Sequence, residues 1–287
     1  MEKEDIKGEI IAEIVVEGMW GKKNISWRPD PHVNILAGIN GSGKTTLLNI
    51  TYEMLQGKIT AKTKKTFRTA AIRFISGRAA YYPDGLKTYF LETSSKISTF
   101  DIPRKNPKGS GTATQLDIEL KQIIYGDGEE RMSFIKLDAI NSDRILKLYQ
   151  AGKSQEAKEL QLQLSSFFDL INSFFTKTEK QIEYTLDKDI VFKNGSETIT
   201  LDKLSAGEKQ LLIILFSVYL QQKEKFVLLL DEPEISLHIE WQGKLIDTLL
   251  AINPNIQLII VTHAPSIFGK GWGDKFVNIK DLISSNG

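Results

Sequence analysis

The chain has 287 residues, enough for one large α/β domain or a core with a substantial insertion, and its 41% hydrophobic and 25% charged content suits an ordinary soluble globular protein. A formal net charge of +1 excludes a global electrostatic pull on nucleic acid, so any basic surface must be local. The absence of cysteine excludes disulfides and thiolate metal sites, and three histidines are too few for a His-rich metal centre.

In chain order, IIAEIVV (10–16) and KNISW (23–27) read as two strands joined by a turn at Gly18–Gly21. VNILA (33–37) is an apolar strand that runs straight into a glycine-rich loop, and 46–55 continues with helical spacing. The segments TAAIRFI (69–75) and LKTYFLE (86–92) read as strands, 101–111 as a polar loop with Pro and Gly, and LDIELKQII as a helix. Residues 143–180 read as helical with a break near Gly152. The stripe Leu160, Phe167, Phe168, Ile171, Phe174 and Phe175 marks a core-facing side. Asn194-Gly195 between alternating runs marks a hairpin over 189–201. A helix follows LSAGEKQ (204–210), then the apolar strand FVLLL (226–230), a helix over 236–251 and the apolar strand IQLIIV (256–261). Strands apolar on both faces and separated by a helix imply a parallel sheet with helices packed on it. The longest apolar run, 211–216, is far short of the ~20 residues that span a bilayer. The first ten residues lack the apolar core of a signal peptide. A cytoplasmic location without membrane insertion is therefore expected.

GINGSGKT (38–45) fits the phosphate-binding loop pattern at every position, directly after a strand and before a helix. Such a loop turns backbone N–H groups inward around phosphate oxygens, and the helix N-terminus adds its positive end. Gly38, Asn40, Gly41, Ser42, Gly43, Lys44, Thr45 and Thr46 are thus the expected cradle for ATP, with Lys44 on the β and γ phosphates and Thr45 on Mg²⁺. Asp231, ending a buried strand, is the second expected Mg²⁺-side residue, and Glu232 after it is placed to polarise an attacking water. His263, at the end of the next apolar strand, is expected to bond the γ-phosphate or that water. Ser205 and Glu208 form an S-x-x-E capping box, which by itself is a routine helix start.

Taken together, these motifs resemble those of the ABC-type ATPases. The resemblance covers roughly 8–55 and 189–268, with four motifs in the family's order: the glycine loop as Walker A, LSAGEKQ as signature, LLLDEPE as Walker B and His263 as switch histidine. It implies an ABC-ATPase α/β fold: a mixed sheet with a parallel core around the glycine loop, an N-terminal antiparallel β subdomain and a helical insertion. The expected layout is a single domain over 1–287, with a nucleotide-binding core from 1–60 and 185–287 and an inserted lobe over 61–184. It also implies a homodimer in which Ser205 and the Gly207 amide of one subunit contact the γ-phosphate of ATP held by the other, with 234–238 as the D-loop at the seam. Lys44, Glu232 and His263 are then the expected catalytic residues.

Leu204 lies 160 residues after Lys44, the signature reads LSAGE and the D-loop reads EISLH. These features look more like the branch holding RecF, SMC-type proteins, overcoming-lysogenisation-defect nucleases and small anti-phage ATPases than like transporter subunits. About 20 residues follow His263, so no Toprim-like nuclease domain is expected, and an effector or nuclease activity would come from a partner protein. Gln115 is the positional candidate for the family's Q-loop glutamine; Trp20 and Lys22 are candidates for adenine or phosphate contact. Residues 54–83 hold Lys or Arg at 58, 62, 64, 65, 68, 73 and 78 and no Asp or Glu, and Lys87, Arg104, Lys105 and Lys108 follow. That stretch reads either as a DNA-backbone surface or as a lysine-protected strand edge. A transporter energy subunit and an ATP-clamped scaffold without turnover are the competing functional readings.

Overall fold

The computed structural model describes residues 8–83, 94–98, 103–105, 112–128, 132–268 and 271–285. The expected strand at 86–92 lies outside these residues, as do Lys87 and Lys108. The chain divides into two compact units: the first comprises 1–99, 223–235 and 242–287, the second 100–222 and 236–241.

The first unit begins with β1 (Ile11–Met19), β2 (Lys23–Trp27), β3 (Val33–Ala37), α1 (Lys44–Leu55), α2 (Ala61–Lys64), β4 (Thr69–Phe74), β5 (Ala79–Tyr82) and β6 (Ser94–Ser98). The second unit holds β7 (Pro103–Lys105), β8 (Thr112–Thr114), α3 (Gln115–Tyr125), α4 (Phe134–Gln150), α5 (Ser154–Phe174), β9 (Gln181–Tyr184), β10 (Ile190–Asn194), β11 (Glu197–Thr200) and α6 (Ala206–Tyr219). The chain continues through β12 (Phe226–Asp231), α7 (Ile239–Gln242), α8 (Leu245–Ile252), β13 (Ile256–Val261), α9 (Pro265–Phe268), β14 (Phe276–Asn278) and β15 (Ile283–Ser285).

Two five-stranded sheets build the first unit. One is parallel, in the order β14-β3-β13-β12-β6; the other is antiparallel, in the order β15-β2-β1-β4-β5. All residues of β3, β12 and β13 are buried, which is why these strands carry unbroken apolar runs instead of alternation. A single apolar core draws Ile14, Val16 and Ile72 from the antiparallel sheet, Leu36, Val227 and Val261 from the parallel one, and Leu47 and Ile50 from α1. The fully buried Gln257 of β13 joins the layers by polar contacts: its amide oxygen accepts from Ile11 N at 2.9 Å and its amide nitrogen donates to the Ile11 carbonyl at 2.9 Å.

In the second unit α6 is buried over Glu208–Val218, so its apolar residues run all round the helix. Phe134 packs edge-on to Phe216, and Phe167 stacks on Tyr219 at 4.0 Å between ring centroids. The aromatic stripe of α5 is therefore core, with Phe167, Ile171, Phe174 and Phe175 buried. The helical break comes at 151–153, beside Gly152 with φ +74°.

The strands β4 and β5 pair into the N-terminal antiparallel sheet of the first unit, and α6 lies in the second. Three local expectations shift. Residues 103–105, expected in a loop, pair with 112–114 as β7 and β8. The hairpin turn sits one residue later than Asn194-Gly195, because Asn194 pairs with Glu197 and leaves Gly195 (φ +56°) and Ser196 as the turn. The expected helix over 236–251 is two helices, α7 and α8, separated at Gly243 and Lys244.

Candidate nucleotide-binding site

Parallel register gathers the site. Asp231 is opposite Val261 and Val261 is opposite Leu36, so β12, β13 and β3 end at the same edge. The loops beginning at Gly38, Glu232 and Thr262 therefore emerge side by side at the carboxyl ends of parallel strands, where α/β sheets bind ligands.

The glycine loop adopts backbone conformations that side chains resist. Gly43 has φ +111°, and a Cβ there would lie 2.6 Å from Met19 Cε and 3.2 Å from the Trp20 ring. The Lys44 ammonium donates to the carbonyls of Gly38 at 2.9 Å and Ile39 at 3.2 Å. Burial pushes its pKa down, while the charges of Glu232, Asp231 and Glu234 push it up; burial wins. Ser42 is buried and its hydroxyl has no partner among the described residues. A buried unpaired hydroxyl beside a lysine inside a turn of N–H groups suits a phosphate.

Thr45 Oγ1 donates to Asp231 Oδ1 at 3.1 Å, joining residues 186 positions apart. A hydroxyl and a carboxylate together make a hard oxygen donor set of the kind Mg²⁺ takes, so these residues fit that ion. Glu232 sits at φ +50°, an unusual region for a non-glycine residue, with its N–H held by the Val261 carbonyl at 2.8 Å. His263 Nε2 is 3.6 Å from Glu232 Oε1, too far for a hydrogen bond. Asn40, Gly41 and Thr46 take their places in the same loop and the first turn of α1.

Ser205 and Gly207 belong to the second unit. Ser205 is the exposed N-cap of α6, and its capping box is complete: Ser205 Oγ accepts from Glu208 N, while Ser205 N donates to Glu208 Oε2 at 2.8 Å. Two largely buried ion pairs brace this turn, Lys180–Glu208 and Lys209–Asp117, each at 2.7 Å. Gly207 has a packing reason to be glycine, since a Cβ there would lie 2.2 Å from the Ser236 carbonyl oxygen. Gln115 opens α3, with Nε2 bonded to Glu119 and a buried Oε1 that has no partner among the described residues.

Trp20 packs beside Gly43, Lys22 is exposed at the turn, and Lys23 is the lysine directed toward the glycine loop. The Lys23 ammonium lies 5.1 Å over the Trp20 ring and donates to the Ser42 carbonyl at 3.3 Å. Strand alternation, which sets the direction of each side chain, was the signal that separates the two lysines. The basic stretch is partly neutralised: Arg68, Arg73 and Arg78 pair with Glu17, Glu13 and Glu9 across the antiparallel sheet. Lys58, Lys62, Lys64 and Lys65 are exposed around α2.

Glycine loop, Thr45–Asp231 pair and strand-end acids on a mixed α/β core define a P-loop ATPase domain of the ABC type. A family model described as "AAA domain, putative AbiEii toxin, Type IV TA system" matches residues 86–269, and the chain belongs to that family. It is similar to Septu protein PtuA of Bacillus thuringiensis, at 23% identity over 89% of this chain and 72% of the relative. It is also similar to the retron Vc95 probable ATPase of Vibrio cholerae serotype O1 biovar El Tor, at 25% identity over 75% of this chain and 45% of that protein. The chain thus spans less than half the length of the retron protein. The fold is that of the Smc head domain from Pyrococcus furiosus, with a TM-score of 0.57, 13% identity, and 97% and 96% of the two chains covered. Among the described residues no helix is long and apolar enough to cross a membrane.

Proposed function

We propose that this chain binds and hydrolyses ATP with Mg²⁺, and that two copies close on two ATP molecules to act on a partner protein. The observation that carries the reading is the Thr45–Asp231 hydrogen bond, which joins the glycine loop to the second strand-end motif. In this reading Lys44 leaves the Gly38 and Ile39 carbonyls for the β and γ phosphates. Thr45 and Asp231 would hold Mg²⁺, which would supply charge neutralisation at the phosphate oxygens. Glu232 orients a water for in-line attack on the γ-phosphorus and takes its proton; the bond to the β–γ bridging oxygen breaks, and ADP and phosphate leave. Ser205 and Gly207 are proposed to meet the γ-phosphate of the partner subunit's ATP, an arrangement supported by the exposure of Ser205 on a braced helix end. Similarity to defence-system ATPases supports an effector or nuclease protein as the partner, and ATP-driven opening and closing as the output.

The test combines two variants. Lys44→Ala removes the phosphate grip and Ser205→Arg blocks the capped helix end. Each alone is expected to lose ATP turnover, and a mixture to regain part of it, because mixed dimers keep one intact composite site. A mixture as inactive as its parts, with Glu232→Gln still monomeric by light scattering in saturating ATP, overturns the dimer. Wild-type protein that releases no phosphate from ATP, alone or with its partner, overturns the ATPase.

A further inference from the structure

The turn between β12 and α7 carries an acidic residue whose geometry is more demanding than that of an exposed loop carboxylate. Glu234 Oε1 accepts two hydrogen bonds, from Thr262 Oγ1 at 2.7 Å and from the His263 backbone N–H at 2.8 Å. Thr262 Oγ1 in turn accepts from Ala264 N at 2.9 Å, so one carboxylate oxygen organises three consecutive residues. The backbone of Glu234 is anchored as well: its carbonyl accepts from Nε2 of the buried Gln242 at 3.2 Å, and Gln242 Oε1 accepts from Ser266 Oγ. Two loops that leave adjacent parallel strands are thereby stitched together on both sides of His263. Glu234 Oε2 is buried without a partner among the described residues, and the Glu234 charge acts on Lys44 alongside those of Glu232 and Asp231.

We propose that Glu234 is a positioning residue that holds the His263 segment and so sets the imidazole against Glu232. The 3.6 Å separation of His263 Nε2 and Glu232 Oε1 leaves room for a small approach when nucleotide enters, and the hydrogen bonds at His263 N limit the direction of that approach. A charge-assisted bond from a backbone N–H to a carboxylate is about twice as strong as a neutral one, which suits a clamp on an exposed residue. A displacement of order 1 Å at a reacting centre costs about 100-fold in rate, so a clamp remote from the phosphate still reaches the chemistry. The inference rests on the ATPase reading for its consequence, but the clamp itself has a readout that needs no turnover.

Three histidines make that readout simple, because ¹⁵N-histidine labelling yields three backbone amide signals, and that of His263 is assigned by its loss in His263→Gln. In Glu234→Ala the His263 amide is expected to shift upfield and exchange faster with solvent. In Glu234→Gln, whose amide oxygen can accept the same two hydrogen bonds, it stays close to wild type. In steady-state assays Glu234→Ala lowers kcat by about 10- to 100-fold with KM for ATP within about twofold, and Glu234→Gln restores most of the rate. The double variant Glu234→Ala/His263→Ala is no slower than His263→Ala alone, because both act through one group. An unmoved His263 amide in Glu234→Ala overturns the clamp. Additive losses in the double variant overturn the route through His263. Absence of turnover in the wild type overturns the ATPase reading instead, while the amide signals still decide the clamp.

Discussion

The two units hold their key groups by opposite means. In the first, the candidate site is assembled from the loops after β3, β12 and β13, with residues such as Thr45 and Asp231 brought together from 186 positions apart. It retains spare polar capacity, seen in the Ser42 hydroxyl and Glu234 Oε2. In the second, Ser205 and Gly207 lie on one turn whose polar groups already have partners in the capping box and the Lys180 and Asp117 ion pairs. Spare groups are not confined to the first unit, since both amide atoms of Gln210, on the helix that the Ser205 turn opens, are buried without a partner among the described residues. The difference lies in construction: one motif is gathered by long-range strand register, the other sits on a single capped helix turn.

The comparison breaks most sharply at its catalytic end. Glu232→Gln is expected to lower ATP turnover by about 100- to 1000-fold while leaving ATP affinity nearly unchanged, as read by phosphate release and equilibrium dialysis. Equal loss of both would mean that Glu232 serves binding rather than chemistry. Next, Asp117→Asn strands the Lys209 charge in a buried setting and is expected to destabilise the fold by about 3 kcal/mol, measured by urea unfolding. Burial pushes the Asp117 pKa up, but bonds from Lys209 and Thr114 outweigh it and hold it below 3.8. With the folded value below the unfolded one, the stabilisation is present above about pH 3.8 and is lost as the pH falls through the folded value. The stability gap between wild type and Asp117→Asn should therefore shrink at acid pH.

A smaller effect is expected at Gly207. Replacing a helical glycine with alanine ordinarily stabilises by up to about 1 kcal/mol. Here the Cβ meets the Ser236 carbonyl, so Gly207→Ala is expected to destabilise by about 1–3 kcal/mol, seen as a lower Tm. A rise in Tm would show that the contact yields freely. The smallest expected change is at Lys23: Lys23→Ala should raise KM for ATP by a few-fold, about 1 kcal/mol, through the tether to the Ser42 carbonyl, and Lys22→Ala should not.

Residue order and local chemistry determine much of this protein. The strands KNISW, VNILA and IQLIIV were legible to the residue, because burial on one or both faces imposes its own pattern. The capping box at Ser205 is likewise a local rule read from four residues. The phosphate loop was legible because its glycines answer a backbone requirement that few other residues meet.

Tertiary structure decided the rest. Whether β4 belongs to an insertion or to the N-terminal sheet depends on pairing with β1 across some fifty intervening residues, which no local composition announces. The same holds for Arg73 of that strand and for Arg68 and Arg78 on either side of it, which meet Glu13, Glu17 and Glu9 only once the sheet is formed. Glu234 looked like one more acid in a strand-end motif until parallel register set it beside Thr262 and His263. Local motifs name the chemistry because they are short-range constraints; partners across a sheet are chosen by long-range register, and only the folded chain contains that.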